Sequence, residues 1–411
     1  MLSLLVGLLY ALSPLNILHQ DGIDLPISPP LSTVGNQIVD SNNHTVHLHC
    51  VAWSGFHMED YLAFGLEFQP VQRIINLIKL GGFNCVRFEF SAEMVLKNPK
   101  VDSELLKPNP EYIGMSAIEI YQDIVKLLTD QQVMVILDYH MMDAGWCCDP
   151  LDENGLWYNK RWSESSVLEQ LKVMVELNKN NPFVIGVDVR NEIRPVIKFY
   201  TVLGKRILDP INTHHPTWGT GLKSDWAQAS ERFGNELLKI NPDLLIIIQG
   251  MFVLDSDHIK LILEGTKPKD LKFPQQLKGV KNRPIELIYP NKLVYSSHDY
   301  SWHYLFNRPW KDVTYEEWKE EAESNWGFIT KDHPLFLGEF GTTHYERALN
   351  RPYWKYLLRY MKELKVHWAY WAIEGIQQRA TGEENIFGLL NMNYTDYVCP
   401  KLLHQLQQLM F

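Results

Sequence analysis

From about residue 45 onward, short runs rich in β-branched and aromatic residues alternate with longer segments whose apolar positions recur at helical spacing. The runs are Val46–Trp53, Asn84–Phe90, Val133–His140, Phe183–Glu192, Leu244–Gln249, Lys292–Tyr300, Pro334–Gly341 and His367–Ile373. Most are continuously apolar rather than alternating, as in Val133–Leu137 and Leu245–Ile248, which is the pattern of parallel strands buried on both faces. Between them, Val71–Leu80, Ala117–Gln131, Val167–Lys179, Ser224–Lys239, Thr314–Asn325 and Tyr353–Leu364 predict amphipathic helices. Eight strands alternating with helices predict an α/β fold of the (βα)8 or TIM-barrel type, a single domain over residues 25–411 with the extra length in loops. Lys267–Leu287, rich in Lys, Pro and Gly, is expected as an insertion before the sixth strand, and Asn98–Gly114 as a loop after the second.

Composition narrows the partners. Thirty-nine basic against forty-nine acidic residues give a net charge of −10, and no basic run occurs, so nucleic acid is not an expected partner. Met1–Leu18 carries no charged side chain and Leu4–Leu12 is nearly all apolar, so residues 1–24 are expected to be a signal peptide or an N-terminal membrane anchor, with the body secreted or tethered. No other segment reaches the ~20 uninterrupted apolar residues of a membrane span. The sequons Asn43-His44-Thr45 and Asn393-Tyr394-Thr395 agree with a secretory route. Five cysteines leave at least one thiol unpaired within the chain. Cys50 and Cys85 sit in apolar runs and read as buried core residues. The adjacent Cys147 and Cys148 form either a vicinal bridge or two separate staples, and zinc is the weaker reading because no second Cys or His pair stands at finger spacing.

In a barrel of this kind the reactive groups stand at the C-terminal ends of the strands, and polar residues close most of the runs. The second run holds Arg87; the third ends Asp138-Tyr139-His140, the fourth Arg190-Asn191-Glu192, the sixth His298-Asp299-Tyr300 and the seventh Gly338-Glu339-Phe340-Gly341, while the eighth holds Trp371. Two glutamates thus end strands four and seven, which face each other across a closed eight-stranded barrel. Cleaving a glycosidic bond needs such a pair, one carboxyl to protonate the leaving oxygen and one to attack or to activate water; a separation of ~5–5.5 Å gives retention and a wider one inversion.

These motifs together resemble glycoside hydrolase family 5, the cellulase family of retaining enzymes, over about residues 35–411. The resemblance implies that Glu192 is the acid/base, Glu339 the nucleophile and Asn191 the ligand of the sugar 2-hydroxyl. Arg87 and Tyr300 would keep the nucleophile ionised and oriented, His140 and His298 would line the same subsite, and Trp371 would be the platform under the reacting sugar. His57-Met58-Glu59, Gly145-Trp146-Cys147-Cys148-Asp149 and Asp188–Pro195 are similar to a plant and microbial branch of the family, which adds His57 to the binding residues. The expected partner is a β-glucan or related carbohydrate; no cofactor, metal or obligatory protein partner is implied. Glu192 is expected to hold its proton longer than Glu339.

Each residue has a structural alternative. Arg87 is also the pattern of a buried arginine neutralised by barrel carboxylates, the two histidines of satisfied core imidazoles, and Trp371 of a plug in the barrel mouth. The glutamate pair is harder to read as structure, because a charged group closing a buried strand is costly unless something holds it. A metallohydrolase would want His-x-His at the end of strand one, whereas His47-Leu48-His49 lies in its early half. A catalytically silent glycan-binding barrel is the alternative from outside the enzymes; among the enzymes the alternatives are a family 5 member acting on mannan or glycolipid, or a transglycosylase.

Overall fold

The computed structural model describes residues 26–411 apart from 149–150, 203–204, 210–211, 254–274, 305 and 307. The eight expected runs are eight parallel strands: β1 (His49–Trp53), β2 (Cys85–Ser91), β3 (Met134–Met141), β4 (Val184–Asp188), β5 (Leu245–Gln249), β6 (Leu293–Asp299), β7 (Leu335–Phe340) and β8 (His367–Tyr370). Each pairs with the next in the chain, and β8 pairs with β1, so the sheet closes into a barrel. Helices α1 (Val71–Leu80), α2 (Ala117–Asp130), α3 (Glu164–Asn178), α4 (Trp226–Ile240), α5 (Tyr315–Asn325) and α6 (Pro352–Leu364) pack outside it, and α7 (Pro400–Gln407) follows β8. Their starts are encoded locally: Ser116 with Glu119 and Thr314 with Glu317 form capping boxes that satisfy the first-turn N–H groups of α2 and α5.

Two strands end earlier than the apolar runs suggest. β4 stops at Asp188 and β8 at Tyr370, so Val189–Glu192 and Trp371–Ile373 lie beyond the ladder. The backbone there still finds partners: Val189 donates to Ile247 O, Asn191 to Tyr139 O, and Glu192 to the Gln249 side chain. Continuous hydrophobicity reports burial, which outlasts the strand. The 98–114 segment is a loop with two single 3-10 turns, Ser103–Leu106 and Pro110–Tyr112. Residues 267–274 of the expected insertion lie outside the described residues; its remainder places Gln275–Gln276 as a short antiparallel partner of Met251–Phe252.

The period of two sorts the strand residues into a barrel interior and a helix-facing shell. Cys50, Cys85, Met134, Ile136, Ile185, Leu245, Ile247, Val294, Phe336 and Ala369 fill the lower interior. Leu31, Ile38, Val46 and Leu48 close it from below, Ile38 from the hairpin Ser32–Val34/Gln37–Val39 and the others from the chain on either side of it. Cys50 and Cys85, expected as buried core residues, stand opposite each other in the β1–β2 register and are joined by a disulfide. Cys147 and Cys148 realise the vicinal bridge of the two alternatives, and Cys399 is a free cysteine. The 1–24 leader expectation lies outside the described residues.

Candidate active site

Two residues further up β2 and β3, at Arg87 and Asp138, the interior turns from apolar to charged, and Arg87 is the centre of this upper layer. Its guanidinium is fully buried and reaches four side chains. Nη1 donates to Glu339 Oε1 at 2.9 Å, Nη2 to Asn191 Oδ1 at 2.7 Å, Nε and Nη2 to Asp188 Oδ2 at 3.0 and 2.9 Å, and Nη2 lies 3.0 Å from Asp138 Oδ1. Burial works against the charge, but Asp138, Asp188, Glu339 and Glu89 around it raise the guanidinium pKa above its ordinary value. The cation is therefore permanent, and it fixes both the Glu339 carboxylate and the Asn191 amide.

Glu192 and Glu339 converge from opposite sides of the barrel. A carboxylate oxygen of each lies within 4.8 Å of the other and of a His298 ring nitrogen; His298 Nδ1 is 3.0 Å from Glu192 Oε1 and 3.5 Å from Glu339 Oε2. Gly338 makes room for this: a Cβ there would come within 2.9 Å of Ser296 Oγ and 3.1 Å of His298 Nε2. The Tyr300 hydroxyl donates to Glu339 Oε2 at 3.2 Å, and burial with the neighbouring carboxylates keeps the phenol protonated. Glu192 holds a left-handed backbone, φ +44°, an uncommon conformation for a side chain of its size.

The proton order of the two glutamates runs against the sequence expectation. Burial pushes Glu339 up, and the pull of His298 and Arg87 only partly offsets it. Burial acts on Glu192 too, but the His298 hydrogen bond and charge, with Arg194 and His303, outweigh it and hold that carboxyl below its ordinary range. The cause is the asymmetric seat of His298, nearer to Glu192 than to Glu339.

The cleft above these groups has a volume of about 460 Å³ and is bordered by Trp146, Glu192, Tyr300, Trp302, Glu339 and Trp371, among others. Trp371 stacks with the His140 ring, centroids 5.8 Å apart and 14° between planes. His140 Nδ1 is 2.8 Å from Asp138 Oδ2 and its Nε2 is 3.4 Å from Asn191 Nδ2; burial keeps the imidazole neutral, so Nδ1–H donates to Asp138 and Nε2 accepts from the amide. Asn191, His140, Tyr300, Trp371 and both glutamates thus reach the cleft, while Arg87 and His298 support it from below.

His57 is placed differently from the sequence expectation. It does not border the cleft but lies behind His140, rings 4.5 Å apart, with Nδ1 2.9 Å from Glu89 Oε2. Burial drives His57 down to about 3 and Glu89 well up, so the two meet as neutral acid and neutral imidazole. Gln249 was not singled out as a site residue. Its Nε2 donates to Asp188 Oδ2 at 2.7 Å and its Oε1 accepts the Glu192 backbone N–H at 3.0 Å, which ties the end of β5 to the Glu192 turn. The signal was the same as elsewhere, a polar residue closing an apolar run.

The family model "Cellulase (glycosyl hydrolase family 5)" matches residues 39–376, most of the chain. The chain belongs to that family. Among curated relatives of this cellulase-family chain, an endoglucanase of Paenibacillus polymyxa is 27% identical over 90% of this chain and 84% of its own length. A glycosyl hydrolase 5 family protein of Chamaecyparis obtusa is 27% identical over 93% of this chain. The chain spans 66% of that protein's length and 65% of endoglucanase G of Acetivibrio thermocellus, so these relatives are longer than the matched part. Of solved structures, the hyperthermophilic endocellulase of Pyrococcus horikoshii has the same fold, with a TM-score of 0.75, 24% identity, and coverage of 94% of this chain and all of that one.

Proposed function

We propose that this cellulase-family chain hydrolyses β-linked glucan-type chains with retention, with Glu339 as nucleophile and Glu192 as acid/base. The observation that carries the reading is the carboxyl separation: oxygens within 4.8 Å of each other fit a retaining pair, ~5–5.5 Å apart, better than an inverting pair, ~6.5–9.5 Å apart. Glu339 attacks the anomeric carbon as the bond to the leaving oxygen breaks, and that oxygen takes a proton from Glu192. Glu192 then removes a proton from water, whose oxygen displaces Glu339 and regenerates both groups.

Glu192 must carry a proton at the first step, and His298 Nδ1 stands 3.0 Å from its carboxyl. A sugar that displaces water from Glu192 favours its neutral form, the form the leaving group needs. In this reading Asn191 binds the 2-hydroxyl and Trp371 supports the apolar face of the ring.

We also read the protein as secreted or tethered through residues 1–24. The two disulfides suit an oxidising compartment. Both sequon asparagines, Asn43 and Asn393, are exposed, and one relative is named a major extracellular endoglucanase of Xanthomonas campestris.

The test is turnover of cello-oligosaccharides, mannans, glycolipids and activated aryl β-glycosides by the wild type and two variants. Glu339→Ala is expected to abolish turnover of every substrate. Glu192→Gln is expected to lose ~10²–10⁴-fold on oligosaccharides, while an aryl glycoside whose leaving group needs no proton still forms the glycosyl-enzyme. Normal turnover in Glu339→Ala would end the assignment.

A further inference from the structure

The chemistry above uses the strand ends and leaves the loop after β3 without a task, although that loop brings two bonded sulfurs into the cleft. Cys147 and Cys148 both border it, and their sulfurs lie within 4.8 Å of a Glu192 carboxylate oxygen. Cys147 Sγ also lies 3.6 Å from Asn191 Nδ2 and 3.8 Å from Arg194 Nη1. Arg194 is held in turn by Asp152, at 2.5 Å, and by the Glu192 carbonyl, at 3.1 Å. The preceding Trp146 turns the other way and meets Trp371 edge-on, ring centroids 6.3 Å apart. One tripeptide thus spans the reacting centre, its indole beside the platform and its sulfurs beside the acid/base.

The group that protonates the departing oxygen stands next to whatever departs. A wall packed against Glu192 and Arg194 therefore borders the leaving side of the cleft. Bonded sulfurs make that wall apolar and polarisable with no hydrogen to donate, and the bond denies them the separate rotations of two thiols. Such a surface suits the C–H face of a pyranose, with Arg194 beside it for the hydroxyls.

We infer that the Cys147–Cys148 bridge is a specificity-determining wall of the leaving-group subsite, favouring substrates with a sugar rather than a small aglycone beyond the cleaved bond. The inference rests on the roles proposed for Glu192 and Glu339.

The experiment compares two substrates with one glycone, cellotetraose and 2,4-dinitrophenyl β-cellobioside, in the wild type and in Cys147→Ala/Cys148→Ala. In the variant, kcat/KM for cellotetraose is expected to fall about tenfold, chiefly through KM, with less than a twofold change for the aryl cellobioside. Equal falls on both substrates, or no fall, would overturn the wall.

Because alanines could unsettle the loop, the native protein is also assayed after reduction by a water-soluble phosphine, which takes oxygen from water while each sulfur gains a proton. Cys50 and Cys85 are fully buried and serve as the internal control, with alkylation and mass mapping to locate the opened bridge. The same substrate split is expected on opening 147–148; an unchanged ratio, or two thiols at these positions before treatment, would overturn the proposal. A wild type inactive on both substrates removes the hydrolase reading and the wall with it, whereas an active wild type without the split removes the wall alone.

Discussion

At the scale of single residues, burial acts on several carboxyls at once, and the geometry decides which of them it turns to use. Glu339 sits above its ordinary range chiefly because it is buried, while His298 and Arg87 draw it back. The nucleophile must be ionised, so the acid limb of kcat/KM is expected above the ~4.3 of an unperturbed glutamate. Replacing His298 with Gln removes the first of the two opposing pulls and should move that limb to higher pH; an unmoved limb in the pH–rate profile would show that His298 does not set it. Glu374, beside Ser54 and with the Glu89 carboxyl near it, is pushed up to about 8, chiefly by its burial. A carboxyl whose folded pKa exceeds its unfolded one leaves the native state holding more protons between the two values, so stability falls as pH rises from ~4.5 to ~8, by a few kcal/mol in all. Glu374→Gln cannot ionise, and its melting temperature should change less between pH 5 and pH 8 than that of the wild type. Equal pH slopes for the two proteins in calorimetry would place the source elsewhere.

At the scale of elements, the eight strands were legible because strands buried on both faces are written as unbroken apolar runs, and the site was legible because those runs end in polar residues. The same feature hid the rest. An unbroken run does not mark where the ladder stops, so Val189–Glu192 read as strand although the backbone turns there, with Glu192 left-handed. Nor does it separate interior from shell, so the run alone did not show that Arg87 and not Phe88 belongs to the charged layer; His57, which follows the first run and entered only through the family resemblance, supports the cleft instead of lining it. The hairpin Phe199–Val202/Lys205–Leu208 carries no strong turn signal of its own and went unread. The Cys50–Cys85 bond needs the β1–β2 register, which local sequence does not contain. It closes a separation of 35 residues, for which the loss of chain entropy in the unfolded state corresponds to about 4 kcal/mol. Cys50→Ala/Cys85→Ala should lower the denaturant midpoint accordingly, with a further loss from the space vacated among Met134, Ala369 and their neighbours. An unchanged midpoint would mean that the bridge does not constrain the unfolded chain.

At the scale of the whole molecule, a barrel is open at two ends, and this one closes them by different means. The upper end carries charge balanced around Arg87 and a cleft over it; the lower end is stopped by chain from outside the (βα)8 repeat. Leu31, Ile38, Val46 and Leu48 are almost wholly removed from solvent beneath the lowest interior residues. Lys292 Nζ donates to Leu31 O at 2.6 Å, and Asn36 Nδ2 to Thr330 O at 2.8 Å, which fastens the hairpin to the β6 and β7 sides of the barrel. Burying each large aliphatic chain is worth ~1.5–3 kcal/mol, so the four together approach the whole of a typical net stability of ~5–15 kcal/mol. Two truncations separate this plug from the segment before it. A chain starting at residue 26 keeps the plug and should melt cooperatively, with the kcat of the full chain. A chain starting at residue 49 retains every barrel strand and every group around Arg87, yet leaves the lower interior open to water. It should lose the cooperative transition and the near-ultraviolet dichroism of the packed tryptophans. Were it to melt like the longer chain, the lower barrel layer would be self-sufficient, and the hairpin's contribution would have to be sought in something other than closing the core.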